Sequence, residues 1–210
     1  MKAIKLVSIC AAVILASCAP KQETTALFNG QNLEGWVCFV DPEAGVPADQ
    51  VFSVRDGMIA ISGQPFGYIR TAEMYGDYTF HAEWRWVGEG TNSGLFQRIQ
   101  DGDKLWPEAI ECQLCAGKAG DYVCLGGARI DEVPFDPEVK FPVLKRNTEE
   151  DIEKPAGEWN EADVICQGKN IKVYINGKLV NECNGQKSEG YIALQSEGGP
   201  LELRNITITK

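Results

Sequence analysis

Polar side chains with the chemistry to hold a sugar recur on one face of two predicted strands. Glu111 and Gln113 alternate with apolar residues, as do Glu83 and Arg85 within segment 79–87. Successive side chains of a strand point to opposite faces, so each segment has one apolar face and one polar face. Carboxylate, amide and guanidinium groups are costly to bury unpaired, and a sugar offers hydroxyl groups that pair with them. These residue types and spacings therefore indicate a carbohydrate-binding face.

Arg98 and Gln195 extend this polar set to two further predicted strands. If neighbouring strands align them, the polar side chains line the concave face of a curved sheet, where a sugar would bind. A solvated outer face of an antiparallel sheet explains any one of these residues equally well, and this alternative stays open. Trp106 and Tyr68 are candidates to stack on a sugar ring, although each is equally typical of a surface aromatic residue.

His81 is the only histidine of the chain, and no G-x-S-x-G segment accompanies it, which argues against a nucleophilic triad. A lone histidine on the polar face of a strand is typical of a structural hydrogen-bonding residue. The alternative is that His81 binds a metal ion beside Glu83.

Three carboxylates at Glu149-x-Asp151-x-Glu153 match the E-x-D-x-E motif of laminarinase-type glycosidases, which use paired carboxylates. In those enzymes the motif lies on a strand. Segment 145–155 has no alternating apolar face and ends in a proline, so the sequence predicts a solvated charged segment there.

The N-terminal segment predicts secretion and lipid anchoring. Lys2 and Lys5 precede an apolar run, and Leu15-Ala16-Ser17-Cys18 resembles a bacterial lipobox. We therefore expect residues 1–17 to be a signal peptide, Cys18 to carry the lipid, and residues 18–26 to form a polar tether. Two or more acyl chains anchor a protein stably to a membrane. Because no acidic residue follows the cysteine, the expected location is the outer membrane, on its periplasmic or surface face.

Charge and cysteine content argue against two further classes of function. The formal net charge of −10 makes nucleic acid a poor partner, and loss of the two lysines of the signal would make it −12. Six cysteines remain beyond Cys10 and Cys18, several of them where a strand would place a small apolar residue. Cys112-x-x-Cys115 lacks the second C-x-x-C of a zinc site. The sequence leaves cysteine pairing and oligomeric state open.

Period-two alternation and glycine-rich turns predict short strands and no helix of three turns or more. The clearest hairpin spans residues 171–180, where Asn176-Gly177 is typical of a type I′ turn. In segment 201–209 the apolar phase slips, as a β-bulge would cause. Residues 27–210 are expected to form a single all-β domain, a sandwich or barrel. Further strands are predicted at 51–54, 58–61, 94–98, 110–114, 162–167 and 190–195.

A set of short motifs recurs along the chain in a fixed order. They are Leu27-Phe28-Asn29-Gly30, Leu33-x-Gly35-Trp36, Asn92-Ser93-Gly94, Glu111-x-Gln113, Gly157-Glu158-Trp159-Asn160, Asn176-Gly177, Leu194-Gln195 and Arg204-Asn205-Ile206. Each is weak alone, but the ordered set resembles the 3-keto-disaccharide hydrolase family over roughly residues 26–210. The resemblance implies a concanavalin A-like jelly-roll β-sandwich and an activity on glycosides that are oxidised at carbon 3.

In such a substrate the C3 carbonyl acidifies the C2 proton, so a base and an enolate stabiliser suffice to expel the C1 aglycone. The resemblance implies Glu111 or Glu83 as the base and Arg98 as the group that stabilises the enolate oxygen. Gln113 and Asn92 would position the sugar.

The resemblance also implies that a divalent metal ion, held by His81 with Glu83 or Glu111, could take over the stabilising role. The remaining expected substrate-binding residues are His81, Trp106 and Gln195.

The chain departs from the commoner family pattern in two places. Cys115 stands where an acidic residue often follows Glu-x-Gln, and Ser196-Glu197-Gly198 stands where the Leu-Gln segment often continues to a histidine. The alternative function is that of a non-catalytic carbohydrate-binding envelope lipoprotein, which would present the same polar face to a small sugar without turning it over.

Overall fold

The computed structural model describes residues 22–100 and 102–210. The expected signal peptide and Cys18 lie outside these residues, so the lipid anchor and the outer-membrane location stay predictions. Within the described ranges, no helix is long and apolar enough to cross a membrane.

Two antiparallel sheets pack against each other and form a β-sandwich. The first sheet contains β1 (Thr24–Ala26), β3 (Phe52–Arg55), β4 (Met58–Ile61), β6 (Tyr78–Trp86), β11 (Asn160–Gln167), β12 (Asn170–Ile175), β13 (Lys178–Asn184) and β15 (Leu201–Thr209). The second contains β2 (Trp36–Val40), β5 (Gly67–Thr71), β7 (Gly94–Ile99), β8 (Ala109–Gln113), β9 (Tyr122–Leu125), β10 (Val143–Leu144) and β14 (Tyr191–Ser196). The helical elements of the described chain are a 3-10 turn (Pro42–Ala44) and the one-turn helix α1 (Ala48–Val51). The predicted all-β fold without long helices is confirmed.

The strand order interleaves distant parts of the chain. The first sheet runs β13-β12-β11-β6-β15-β4-β3, with β1 paired to β15. The second runs β10-β9-β8-β7-β14-β5-β2. Because β6 belongs to the first sheet and β7 to the second, the chain crosses from one sheet to the other between Trp86 and Gly94. This crossing decides which polar side chains can share a face.

The core lies between the sheets and follows the predicted alternation. In β6 the side chains of Phe80, Ala82 and Trp84 are fully buried, while His81 and Glu83 between them are partly exposed. Burying a large apolar side chain contributes about 1.5–3 kcal/mol, and this core draws such residues from both sheets. The inward faces of the strands therefore hold the sandwich together. A second, smaller apolar cluster that includes Tyr68, Phe96 and Val123 covers part of the outer face of the second sheet.

The predicted turn and bulge are both present. Asn176 and Gly177 have φ angles of 49° and 78°, the positive values that a type I′ turn requires. The pairing of β15 with β6 shifts register between Arg204 and Thr207. Both features can be predicted from a short stretch of sequence, because each depends on the local backbone conformation and not on how distant residues pack.

The start of the ordered domain differs from the expectation, and the structure also shows the state of the cysteines. Residues 24–26 were expected in the tether, but they pair with Thr207–Thr209 as strand β1, so the ordered domain begins earlier than residue 27. The six cysteines of the described chain are free thiols. Cys112, Cys124, Cys166 and Cys183 are buried in the core, where they pack as small apolar residues.

Candidate functional site

Four of the expected site residues meet at one end of the outer face of the second sheet. Glu111 and Gln113 lie on β8 and point away from the core that Ile110 and Cys112 face. Gly94, the first residue of β7, pairs with Gln113. With one further residue, Glu197, they form what we call the Glu111 cluster: Asn92, Glu111, Gln113, Gln195 and Glu197.

The missing side chain of Gly94 provides the space for Glu111. A Cβ atom at position 94 would lie 2.1 Å from Oε1 of Glu111 and 2.7 Å from its Cγ and Cδ atoms. Glu111 is 3% exposed, so its carboxyl group is buried above the backbone of β7. The Asn92-Ser93-Gly94 motif therefore includes a glycine that the neighbouring carboxylate requires.

Gln113 joins Glu111 to the turn that precedes β7. Three oxygens surround its side-chain amide, which orients the amide nitrogen toward them as the donor. The nitrogen donates to Oε1 of Glu111 at 3.0 Å, to the carbonyl of Ser93 at 2.9 Å and to Oδ1 of Asn92 at 2.9 Å. These bonds fix the Glu111 carboxyl and the Asn92 amide in one network.

Glu197 connects the other side of the network. Nε2 of Gln195 donates to Oε2 of Glu197 at 2.8 Å, and the Asn92 side chain is also hydrogen-bonded to Glu197. Oε1 of Gln195 is buried and has no hydrogen-bond partner among the described residues. A buried acceptor without a donor is rare in proteins, so this oxygen is the unsatisfied polar atom of the cluster.

The two carboxyl groups differ in their tendency to ionise. Burial raises the pKa of Glu111 well above its ordinary value of 4.5, and the charge of Glu197 raises it further. Burial also raises the pKa of Glu197, but hydrogen bonds from Asn92 and Gln195 oppose that effect. Since neighbouring carboxylates in a poorly solvated site resist double ionisation, Glu197 ionises before Glu111.

The cluster is open to solvent on one side. Asn92, Gln113 and Glu197 are partly exposed, whereas Glu111 and Gln195 are buried. The cluster therefore has three partly exposed polar side chains next to two buried ones. Together they comprise two carboxyl groups and three amides.

Tyr68 lies on the same face, directly opposite Gln195 in the pairing of β5 with β14. Protein contacts hold the rings of both Tyr68 and Trp106. Trp106 packs against Phe66 and Phe141, with ring centroids 4.2 Å and 4.9 Å away. Tyr68 is fully buried, and its hydroxyl donates to the carbonyl of Lys104 at 3.2 Å. Burial raises the pKa of Tyr68 to about 12. Neither ring joins the Glu111 cluster as a stacking platform.

Arg98 lies between the sheets and not on the polar face. Its guanidinium donates to the carbonyls of Tyr75 at 3.0 Å, Gly76 at 2.6 Å and Gly168 at 2.9 Å, and it lies over the ring of Tyr78. The side chain is 1% exposed. A register shift between β7 and β14 and a φ of 61° turn Arg98 inward. The expectation that it faces the substrate with Glu111 is wrong for this geometric reason.

Glu83 and His81 point outward from the first sheet. Nε of Arg204 donates to Glu83 at 2.7 Å, and Asn205 donates to its other oxygen. Burial raises the pKa of Glu83, but these bonds outweigh it and lower the pKa. Nδ1 of His81 lies 2.7 Å from Oδ1 of Asp163, and this bond raises the pKa of His81. Both residues have structural partners on their own sheet.

The expected single pocket for Glu83, Arg98 and Glu111 is therefore wrong. The chain changes sheets between β6 and β7, so Glu83 and Glu111 lie on the outer faces of different sheets. Arg98 lies between the sheets, because the register shift turns it inward. Since β6 and β8 belong to different sheets, His81 cannot share a metal ion with Glu111. Within residues 22–100 and 102–210, no group of three or more histidine, cysteine, aspartate or glutamate side chains is arranged to hold a metal ion.

A groove of about 600 Å³ does open beside Glu83, on the outer face of the first sheet. Phe28, Trp159 and Arg204 line it, and they come from three of the recurring motifs. The guanidinium groups of Arg204 and Arg85 lie 3.9 Å and 4.6 Å from the centre of the Trp159 ring. Arg85 is also paired with Glu202 at 2.7 Å. Because these charges are already paired within the protein, the groove is a weaker candidate than the Glu111 cluster.

Glu197 is the member of the cluster that the sequence reasoning missed. Ser196-Glu197-Gly198 stands where the family pattern often has a histidine, and this departure drew attention to the missing histidine and not to the carboxylate. The available signal was the position of Glu197, an acidic residue in the loop just after the predicted strand 190–195, where functional residues often lie. Gln195 supplied this strand end, and its amide is bonded to Glu197.

Comparisons with known proteins bear on the family and on the fold. Residues 23–209 match the family described as the 3-keto-alpha-glucoside-1,2-lyase-like domain. A 3-keto-disaccharide hydrolase of Bacteroides thetaiotaomicron is 22% identical over a 236-residue alignment that covers 87% of this chain and 76% of the relative.

Solved structures are similar to the whole sandwich. A crystal structure assigned as a glycosyl hydrolase of Parabacteroides distasonis has a TM-score of 0.64 at 20% identity, covering 88% of this chain and 92% of that one. The Bacillus licheniformis β-glucanase has a TM-score of 0.55 at 13% identity, covering 90% and 96%. The predicted concanavalin A-like jelly-roll sandwich is confirmed by this likeness.

Proposed function

The chain belongs to the 3-keto-alpha-glucoside-1,2-lyase-like family, and from the geometry of the Glu111 cluster we propose that it cleaves 3-keto-glycosides. The observation that carries the proposal is the buried carboxyl group of Glu111, whose pKa is raised, beside the more exposed carboxyl group of Glu197, which ionises first. The coarser conclusion, a glycosyl hydrolase-type enzyme, follows the names of the relatives.

The reaction begins with the C2 proton, which the adjacent C3 carbonyl acidifies. A carboxylate takes this proton, and the electrons of the C2–H bond form an enolate whose charge rests on the C3 oxygen. The enolate then re-forms the C3 carbonyl, a C1–C2 double bond forms, and the C1–O bond breaks. The leaving oxygen takes up a proton. Water adds to C1 afterwards if the outcome is hydrolysis.

The two carboxyl groups divide these tasks by their environments. Glu197, ionised and partly exposed, is the base. Glu111, neutral and buried, donates a hydrogen bond to the C3 oxygen as charge develops there. A carboxylic acid that burial keeps neutral is an effective donor to an enolate oxygen. The family resemblance implies Glu111 or Glu83 as the base; in this proposal Glu197 takes that role, because Glu111 is buried and Glu83 lies on the other sheet.

The amide groups of the cluster hold the sugar. The unpartnered Oε1 of Gln195 accepts a hydrogen bond from a sugar hydroxyl, which removes its burial penalty. Asn92 and Gln113 orient the two carboxyl groups and are themselves partly exposed. Three amides bonded into one network lose little freedom when the sugar binds, which favours a defined pose.

A metal ion has no step in this reaction. Glu111 does not share an ion with His81 or Glu83, because it lies on the other sheet. His81 and Glu83 lie on the same face of β6, but His81 is bonded to Asp163, and Glu83 is bonded to Arg204 and Asn205.

The deciding experiment is incubation of the purified protein with a 4-nitrophenyl 3-keto-glucoside, with release of the aglycone followed by absorbance. Wild type should release it, and Glu197→Gln and Glu111→Gln should each lose at least about 100-fold in kcat/KM. Glu83→Gln is the matched control and should keep its rate. Parallel assays after chelation and after addition of divalent cations read metal dependence separately.

Wild type that binds the 3-keto-sugar without releasing an aglycone would support the alternative, a sugar-binding lipoprotein. Equal rates for wild type and both glutamate variants would refute the assignment of the site. For the anchor, Cys18→Ser should release the protein from the membrane fraction into the soluble envelope fraction, because acyl chains supply the membrane affinity.

A further inference from the structure

A cavity of about 560 Å³ lies at an end of the sandwich, outside the Glu111 cluster. One wall is Trp86 at the end of β6, with the loop residues Gly90 and Ala116. The opposite wall is segment 146–156, which contributes the E-x-D-x-E residues that the sequence analysis set aside. These three carboxylates are Glu149, Asp151 and Glu153. We call this space the Trp86 cavity.

The indole N–H of Trp86 is an unsatisfied donor in this wall. Trp86 is 3% exposed, and its Nε1 has no hydrogen-bond partner among the described residues. A Cβ atom at Gly90 would lie 3.3 Å from this nitrogen and 2.8 Å from the Cβ of Ala116. The missing side chain of Gly90 therefore lets this loop pack closely against the indole ring and Ala116. Trp84 has the same unpartnered nitrogen, but it lies wholly within the core.

The carboxylates opposite are held at two depths. Glu149 and Asp151 are exposed at the rim. Glu153 is partly buried, accepts the backbone N–H of Ala119 at 3.0 Å, and lies 3.5 Å from Arg146. The cavity thus combines one buried donor with an acceptor-rich rim.

This combination selects the chemistry of the ligand. Arg146 and Lys154 also line the cavity, so its three carboxylates face two cations and neither sign of charge dominates. An indole N–H, which only donates, offers nothing to a metal cation or an ammonium group. A hydroxyl group satisfies both sides, because its oxygen accepts from Trp86 while its proton is donated to a carboxylate. We infer that the Trp86 cavity is a second binding site, for a neutral polyhydroxylated ligand of monosaccharide or disaccharide size.

The volume and position of the cavity agree with such a ligand. Sites for small molecules commonly enclose about 300–1,000 Å³. Its loop walls at Gly90 and Ala116 are joined by a hydrogen bond from Ala116 N to the carbonyl of Thr91 at 2.9 Å, so they form one rigid unit. The site requires no chemistry at Glu111 and stands independently of the proposed reaction.

The test is an NMR titration of protein labelled with ¹⁵N in its tryptophan indoles. The Trp86 resonance is assigned from its absence in Trp86→Phe. The probes are glucose and trehalose as neutral sugars, gluconate as an anion and glucosamine as a cation. A saturable shift of the Trp86 resonance with a neutral sugar, and none of the Trp84 resonance, is the expected result.

Variants separate binding from folding. Gly90→Ala, which places a Cβ atom 3.3 Å from the indole nitrogen, should abolish the shift while leaving the other indole resonances in place. Glu149→Gln with Asp151→Asn should weaken binding about tenfold, since hydrogen bonds to charged groups are the stronger ones. Trp84→Phe should bind as wild type does.

Two results would overturn the inference. One is a Trp86 resonance that stays fixed up to about 100 mM of either neutral sugar, well above the Kd of a weak millimolar ligand. The other is a preference for gluconate or glucosamine over the neutral sugars.

Discussion

Replacing Gly94 with alanine tests whether the position of the Glu111 carboxyl group matters. The added Cβ would lie 2.1 Å from Oε1, whereas ordinary van der Waals contact begins at about 3.4 Å, so the oxygen must move by about 1.3 Å. A displacement of about 1 Å of a positioned group can cost about 100-fold in rate. Forcing an extra carbon into a packed site costs about 1–3 kcal/mol of stability. We therefore expect kcat/KM for aglycone release to fall about 100-fold while the protein stays folded.

Gly76→Ala is the matched control, since its Cβ would meet its nearest neighbour, the carbonyl oxygen of Ser188, at 4.0 Å. Its kcat/KM should stay within about twofold of wild type, because no group of the site moves. Urea unfolding of both variants, followed by tryptophan fluorescence, separates loss of rate from loss of fold. A Gly94→Ala protein with the wild-type kcat/KM would refute the reasoning, because the carboxyl position would then be irrelevant to turnover.

Three further predictions concern pH, the inter-sheet arginine and the lone histidine. Because the folded-state pKa of Glu111 is raised above its ordinary value of 4.5, wild-type stability should fall as the pH rises from about 4.5 to that raised pKa. The free energy of unfolding should change by about 1.4 kcal/mol per pH unit over this range, and Glu111→Gln should remove that slope. The exposed Glu138→Gln is the control and should keep it. Urea titrations at several pH values measure both. Arg98→Met should lower the free energy of unfolding by about 2–4 kcal/mol, because three backbone carbonyls lose their donor, and equal stability in urea would contradict this role. His81→Gln should leave kcat/KM within about twofold of wild type, since His81 bonds to Asp163 on the sheet opposite Glu111, and a large loss of rate would place His81 in the site.

The fold was predictable where one residue type determines a local conformation. Asn176-Gly177 determines a type I′ turn, and the phase slip in segment 201–209 predicts the bulge at Arg204. Strands β2, β5 and β9 were not predicted. Residues of β5 and β9 are buried on both faces, so their sequences lack the polar alternation that marks a half-exposed strand.

The site was predictable in part, and the failures have one cause. Glu111, Gln113, Asn92 and Gln195 lie on adjacent strands or turns of one sheet, so the expected polar face exists there. Alternation within a strand cannot tell which sheet the strand joins, and Glu83 was therefore assigned to the wrong face.

A bulge reverses the face of a single residue and leaves no trace in the polar pattern. The sequence places Arg98 on the outer face, because a charged side chain is costly to bury unpaired. The register shift in β7 turns it inward instead. In the structure three carbonyls satisfy its guanidinium between the sheets, which is the pairing that buried charges require.

The position of β15 has a consequence for how the protein is made. This strand, Leu201–Thr209, is an interior strand of the first sheet, between β6 and β4. Both neighbours come from much earlier in the chain, and pairing over such a separation is slow. For the export that the N-terminal segment predicts, slow closure of this sheet would keep the domain unfolded for longer before it crosses the membrane.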